Sequence, residues 1–355
     1  FFFFFPIAID AMGGDAAPQI VLEGAVQACE RVPALGKLLL VGPHDRLKAG
    51  LKKLGCQHDE RFEIVHTDDF IEMNEPASSA IRRKKKASIN VAARLVKEGR
   101  AAGLVSAGHT GATVAATVLK LRTLPGILRP GIATVFPSPT GPFLLIDAGA
   151  NVDCKPMHLN QYAVMGDIYT REILGIKEPR IGLLNVGHEA RKGNDLTKEA
   201  YDQLHKLPGL NFVGNVEGRD LFANAVDVVV CDGFVGNVVL KSCESLGVAF
   251  GHFIKDLLMK NPVRKAGALL ARNAFRDFKR LADYAEYGGA PLLGVNGVCI
   301  IGHGSSSATA ISNAIRVAGE SAEHHVNDHI VQRITELSLS EQAPRSPEPS
   351  VAGLT

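Results

Sequence analysis

Residues 104–111, LVSAGHTG, carry the most specific chemistry in the chain. Leu104 and Val105 read as the end of an apolar strand, followed by a glycine turn and a helix expected from about Ala112. Gly108 and Gly111 allow positive φ or close backbone approach, and Ser106 and Thr110 are the expected helix caps. Such a turn aims backbone N–H groups and a helix N-terminus at one point, which suits an anion. The plainer reading is an ordinary capped strand-to-helix turn.

The same pattern recurs. Asp10, Ser106, Asp147, Asn185 and Asp232 stand at or just beyond the C-terminal ends of expected strands, each followed by glycine. The turns are GGD (13–15), SAGHTG (106–111), DAGANVD (147–153), NVGHEARKGN (185–194), DGFVGN (232–237) and HGSSS (303–307). In open α/β sheets ligands bind at that edge, so the turns are expected to converge on one site. Glycine, small hydroxyls, Asn, Asp and a few cations suit phosphate and polar ligand groups. His109, His188 and His303 each lack a second ligand at metal-binding spacing, so no metal is expected; His324, His325 and His329 read as a solvated face. A Walker A motif, a GxGxxG after a strand and a GxSxG elbow are all missing, which disfavours nucleotide hydrolysis, dinucleotide binding and serine hydrolysis. Cys154 beside Asp153 is the nearest thiol nucleophile, but a direct reaction without a covalent intermediate is the better reading.

The elements that must position these turns alternate along the chain. Strands are expected at 7–10, 37–42, 62–66, 104–105, 132–136, 143–147, 180–186, 211–214, 225–231 and 294–301, with helices through Val21, Ala25 and Ala28 and near 89–96, 160–174, 235–282 and 310–318. Strands alternating with helices, several of them unbroken apolar runs, give an α/β protein with buried parallel strands. No internal repeat is seen.

Of 355 residues, 46% are hydrophobic and 21% charged, with a net charge of +2, so nothing argues for nucleic acid. Six scattered cysteines without a CxxC pair read as reduced thiols. No apolar run reaches the ~18–20 residues of a membrane-spanning helix. Phe1–Phe5 lack the features of a signal peptide and read as an artefact. The Pro- and Ser-rich tail, 340–355, is expected to be disordered, leaving 6–339 as one catalytic unit whose two lobes would flank a cleft.

IAIDAMGGD (7–15), SAGHTGA (106–112), LIDAGANVDCKP (145–156), KGN (192–194), CDGFVGNVVLK (231–241), EYGGAPLLGVNG (286–297), HGSS (303–306) and NAIR (313–316) together resemble the bacterial phosphate acyltransferases of the PlsX family, over about 7–335. The resemblance implies that acyl carrier protein thioester and inorganic phosphate give acyl phosphate and free carrier protein, for phospholipid synthesis. It implies a homodimer without a cofactor and a three-layer α/β/α fold like the isopropylmalate dehydrogenase and phosphotransacetylase group. It also implies a cytoplasmic protein at the inner membrane face, handing its product to a membrane acyltransferase. The family usually has Asn where His109 stands and an acid where His188 stands.

The chemistry expected is attack of a phosphate oxygen on the thioester carbonyl, with the enzyme holding phosphate and donating hydrogen bonds to the oxyanion. Phosphate is placed near Gly108, His109, Thr110 and Gly111, with Lys192 as a point charge. Asn194 and Asn237 are candidate donors, and Asp232 orients the Asn237 turn or Lys241. Asp10, Gly14, Asp15, Ser106, Asp147, Asn151, Lys155 and Lys241 complete the expected substrate-binding set. In the basic run 82–86, Arg82, Lys84 and Lys85 are candidates for docking the acidic carrier protein, though Arg82 or Lys84 could instead face the active site. Along 254–282, eight basic residues stand against two acids, and Leu270, Ala271, Ala274, Phe275, Phe278 and Leu281 share an apolar helical arc. That face suits an anionic membrane surface; burial in the subunit or dimer core is the alternative. Two other functions remain open: a metal- and NAD-dependent decarboxylating dehydrogenase of the same fold, and a non-catalytic phosphate-binding protein.

Overall fold

Short runs of branched apolar residues, such as LLLVG and VVV, are buried along their whole length and form central strands. The computed structural model describes residues 5–276 and 287–342. Among the described residues, eleven strands form one sheet: β1 (Ile7–Asp10), β2 (Leu38–Gly42), β3 (Phe62–His66), β4 (Gly103–Ser106), β5 (Gly131–Phe136), β6 (Phe143–Ile146), β7 (Ile181–Leu184), β8 (Phe212–Val216), β9 (Val228–Val230), β10 (Ala290–Leu293) and β11 (Val298–Ile301). Their spatial order is β3-β2-β1-β4-β11-β10-β5-β6-β9-β7-β8. The helices are α1 (Gln19–Arg31), α2 (His44–Lys53), α3 (Ala77–Arg83), α4 (Ser88–Lys97), α5 (Thr110–Leu121), α6 (Pro156–Glu172), α7 (Asp195–Leu204), α8 (Gly233–Leu258), α9 (Pro262–Leu270), α10 (Ala308–Glu323) and α11 (Val326–Gln342).

Strand alternation divides the core into layers. Ala8 and Leu104 face α4 and α5, whereas Ile7, Ile9 and Val105 face α1 and α10. In the other half Leu144 and Ile146 pack on α6 and α11, and Phe143 and Leu145 lie in the cluster that Val239, Leu240 and Cys243 of α8 pack against. Helices on both faces of a largely parallel sheet make the three-layer α/β arrangement.

The two halves run in opposite directions. β3, β2, β1, β4 and β11 are parallel to one another, as are β6, β9, β7 and β8, and the antiparallel pairs β11–β10, β10–β5 and β5–β6 join the sets. β10 hands the sheet over: Ala290 pairs with Ile301, the last residue of β11, and Leu292 pairs with Ile132 of β5. Next to Ile132, Ala133 pairs with Ile146, the last residue of β6. The halves are therefore staggered, and their C-terminal ends meet at the level of β10.

Three sequence expectations change. The strand expected over 294–301 is only β11: Gly294 and Gly297, at φ of 87° and 148°, belong to the turn before it, and β10, ahead of that turn, is an additional antiparallel partner. The helix after β4 starts at Thr110, not Ala112. The helices expected over 235–282 include α8, which ends at Leu258, and α9, which Asn261 caps by accepting from the Arg264 N–H and Pro262 opens. Finally, α11 carries residues 340–342, which the disordered tail was expected to include.

Candidate active site

Each strand-end aspartate organises a turn. Asp147 is fully buried; its Oδ1 accepts from the N–H groups of Ile132, Gly149 and Ala150 at 2.9–3.0 Å, and its Oδ2 from Asn151 N at 2.8 Å. Burial pushes this carboxyl above its ordinary value, against the pull of those four backbone groups. Asn151 braces the same turn, its Nδ2 donating to the Pro130 carbonyl at 2.6 Å and the Tyr162 hydroxyl at 2.9 Å. Asp147 thus has its polar capacity spent on protein and holds the turn 147–151 together.

Asp10 does the corresponding work in the other half. It is 4% exposed, and its Oδ2 accepts from Ser106 Oγ at 2.7 Å. Ser106 Oγ in turn accepts from Gly108 N at 3.2 Å and from Thr113 Oγ1 at 3.4 Å. Burial raises the Asp10 carboxyl, opposed by hydrogen bonds from Ser88 and Ser106. The expected caps are corrected here: His109 is the N-cap of α5 and no side chain caps it, Thr110 already lies in the helix, and Ser106 supports the turn from below. Gly108 passes beside Gly13, where a Cβ on Gly13 would lie 2.7 Å from Gly108 N; close approach, not positive φ, is what the turn needs. Gly14 does take a φ of 116°, and Asp15 N donates to Gly304 O at 2.9 Å, docking the 13–15 turn on the 303–307 turn.

The sequence DGFVG brings α8 onto the Asp147 turn. Asp232 Oδ1 accepts from Phe234 N and Val235 N at 2.9 Å, and Gly233 N donates to Asn151 O at 2.8 Å. A Cβ on Gly236 would overlap the Asp147 carbonyl oxygen, so the helix reaches the turn through bare backbone. Asn237, one residue on, lies against Gly149. Lys241 pairs with Glu244 at 2.8 Å, so Asp232 holds the Asn237 turn and not Lys241.

These turns enclose a cavity of about 650 Å³ between the halves. Its lining includes Thr110 and Gly111 of α5, Gly233 and Phe234 of α8, Arg129 and His303. The first N–H groups of a helix have no intrahelical acceptor, so two helix N-termini and an arginine point to an anion. Val114, Ala115 and Val118 of α5 and Val238 and Leu240 of α8 add apolar lining, and Asn151, Asn237, Lys241 and Glu244 polar lining.

Of the expected site residues, Thr110, Gly111, Asn151, Asn237 and Lys241 line the cavity. Asp10, Ser106, Gly108 and Asp147 lie beneath its turns, His109 at half-burial beside Gly111. Gly14, Asp15 and Lys155 lie outside the lining; Lys155 is exposed and its N–H donates to His158 Nδ1 at 3.1 Å. The 185–194 turn, after β7, forms a separate exposed loop. Asn185 Nδ2 donates to Lys192 O at 3.1 Å, Asn194 caps α7 by accepting from Thr197 N at 2.9 Å, and His188 Nε2 meets Asp220 Oδ2 at 2.6 Å. Neither Lys192 nor Asn194 lines the cavity. Arg129 was missed because β5 runs antiparallel to β6, so its N-terminal end, not its C-terminal end, reaches the site. Burial raises the thiol of Cys154, which leaves it a poor nucleophile at neutral pH.

Away from the cavity, Lys84 is engaged locally, donating to Phe70 O at 3.0 Å and pairing with Glu75, whereas Arg82 and Lys85 are exposed. Leu270, 88% exposed, ends α9, and i→i−4 bonds run from Ala271 N to Gly267 O and from Phe275 N to Ala271 O. Phe278 and Leu281 lie outside the described residues. Among the described residues no helix is long and apolar enough to cross a membrane.

The architecture is that of the phosphotransacetylases. A phosphotransacetylase from Streptococcus pyogenes superposes with a TM-score of 0.62 at 22% identity, covering 90% of this chain and 94% of that one. Another from Staphylococcus aureus gives 0.59 at 15%, with the same coverage. The family described as "Fatty acid synthesis protein" matches residues 5–329, and the chain belongs to it. A protein of Pelobacter propionicus named "Phosphate acyltransferase" is 50% identical over 332 residues, 93% of this chain and 94% of its own. One of the same name from Nitratidesulfovibrio vulgaris is 49% identical over 328 residues, 92% and 94% of the two chains. The chain is an acyltransferase.

Proposed function

We propose that the chain transfers an acyl group from an acyl carrier protein thioester to inorganic phosphate, giving acyl phosphate for phospholipid synthesis. The observation that carries this is the two-natured lining of the cavity, which combines two helix N-termini and Arg129 with aliphatic side chains. Phosphate sits against the α5 N-terminus, and Arg129 of the lining and, from the separate loop after β7, Lys192 contribute positive charge. A phosphate oxygen attacks the thioester carbon, the C–S bond breaks, and the carrier thiolate leaves and takes a proton from solvent. Asn237 donates to the developing oxyanion, which is the larger contribution in reactions of this kind. Asp10, Asp147 and Asp232 fix the turns that present these donors. The dehydrogenase alternative is not favoured, since the relatives are named phosphate acyltransferase.

The long helix α8 supports a homodimer: Phe250, Phe253 and Leu257 are exposed, and only Gly233 and Gly236 of the helix are buried. Exposed Arg82 and Lys85 are offered for docking the acidic carrier, and exposed Leu270 and Phe275 for an anionic membrane surface, where a membrane acyltransferase would collect the product. The decisive assay mixes purified protein, palmitoyl-carrier protein and phosphate. Free carrier thiol should accumulate only when phosphate is present; thiol release independent of phosphate, or none at all, would refute the reaction.

A further inference from the structure

The HGSSS turn after β11 is held on every side by backbone. Gly302 N donates to Ser106 O at 2.8 Å, Asp15 N to Gly304 O at 2.9 Å and Ser306 N to His303 O at 2.9 Å, and Ser307 caps α10 by accepting from Ala310 N at 3.1 Å. β11 runs parallel to β4 with Ile301 opposite Ser106, and neighbouring strands lie about 4.8 Å apart. His303 therefore leaves the sheet beside the 107–109 turn, which leads into Thr110 and Gly111 of α5. A Cβ on Gly302 would lie 3.1 Å from the Ala107 Cβ, so the two turns pack directly together. His303, Thr110 and Gly111 all line the cavity.

One nitrogen of the His303 ring is engaged by its own turn. Ser305 N donates to Nδ1 at 3.3 Å, and Ser305 Oγ lies 2.8 Å from the same atom. A ring nitrogen that accepts from an N–H carries no proton, so the neutral imidazole bears its proton on Nε2. Ser305, which engages Nδ1, lies outside the cavity lining, and among the described residues no protein group accepts from Nε2. We propose that His303 Nε2–H donates to inorganic phosphate, completing with the α5 N-terminus the site that holds it. The proposal rests on the phosphate acyltransferase reading and adds a binding residue to it. Phosphate oxygens are acceptors, and their charge strengthens a bond from a neutral N–H. The Ser305 contacts fix both the tautomer and the orientation of the ring, so the donor is in place before phosphate arrives.

Titration calorimetry with inorganic phosphate reads the contact without turnover. His303→Ala should weaken phosphate binding about tenfold or more, the size of a lost hydrogen bond to a charged group. Two amides separate the roles of the ring nitrogens. Asparagine carries an oxygen close to the place of Nδ1, where it can accept from Ser305 N as in an Asx turn, but it does not reach the place of Nε2. Glutamine is longer and brings an N–H there. His303→Asn should therefore keep the wild-type thermal midpoint and bind phosphate as weakly as His303→Ala, whereas His303→Gln should recover most of the affinity. In the carrier-thiol assay the same order should appear in KM for phosphate, with KM for palmitoyl-carrier protein little changed. Wild-type affinity and phosphate KM in His303→Ala, or values kept by asparagine and lost by glutamine, would overturn the contact and leave His303 as a brace of its own turn. Phosphate binding that depends on His303, without phosphate-dependent thiol release, would instead overturn the acyl-transfer reading and leave the contact standing. A wild type that neither binds phosphate nor releases thiol overturns both.

Discussion

At the residue scale, two cations test the anion site from different positions. Arg129 lines the cavity, and Arg129→Gln removes a charge-assisted contact worth roughly 1.5–3 kcal/mol. The expected outcome in phosphate titrations is a loss of about 10–150-fold in kcat/KM for phosphate, with unchanged thermal stability. Lys192 lies on an exposed turn whose shape depends on Gly193 at a φ of 93°. Lys192→Ala is expected to lower kcat/KM for phosphate about tenfold or more, and wild-type kinetics at limiting phosphate would reduce the residue to a solvated charge. Asp147, by contrast, contributes through its turn. Asp147→Asn leaves backbone N–H donors facing an amide, at roughly 1–3 kcal/mol for each left unsatisfied, so urea denaturation should register the change before any change in phosphate affinity.

At the scale of elements, the contact between α8 and the Asp147 turn depends on an absent side chain. A Cβ at Gly236 would overlap the Asp147 carbonyl oxygen, with Cys231 Sγ next nearest. Neither can move without displacing β9 or the turn. Gly236→Ala is therefore expected to cost about 1–3 kcal/mol by overpacking, lowering the unfolding midpoint and moving Asn237 out of line with the cavity. DGFVGN signalled a glycine-rich helix start from the sequence. That its second glycine meets the backbone of a segment almost ninety positions earlier is a tertiary fact. The start of α9 is equally legible in the sequence, as Asn261 in the cap position followed by Pro262.

At the scale of the whole molecule, neighbouring strands of the second half are tied at their starts. Asp227, before β9, accepts from Arg180 N at 2.8 Å and from its guanidinium Nε and Nη2 at 3.0 Å, before β7. Burial opposes the charged carboxylate, but the hydrogen bonds and charge of Arg180 prevail and hold its pKa below the usual value. A depressed carboxylate pKa stabilises the fold above the unfolded value of about 3.9 and loses that contribution as pH falls through the folded value. Asp227→Asn should cost about 1–2 kcal/mol at pH 7, discounted for the partial exposure of Arg180. The difference from wild type in urea midpoints should shrink as pH falls below about 4; a constant difference across that range would show that packing, not charge, joins the strands.

The sequence by itself determined the kinds of elements and the chemistry at their ends. Strands with unbroken apolar runs could only be buried, and Asp or Ser followed by glycine marked where turns would expose N–H groups, because those are local properties of side chains and backbone. Only the tertiary structure decided which turns meet. A single parallel edge would have gathered all six, whereas the sheet reverses direction through β10 and β5, and the stagger between its halves places the turns after β4, β11, β6 and β9 around one cavity. The same reversal brings in Arg129 from the start of β5 and leaves Lys192 on its own loop. Pairing direction and register depend on contacts between segments far apart in the chain, which local residue pattern does not encode.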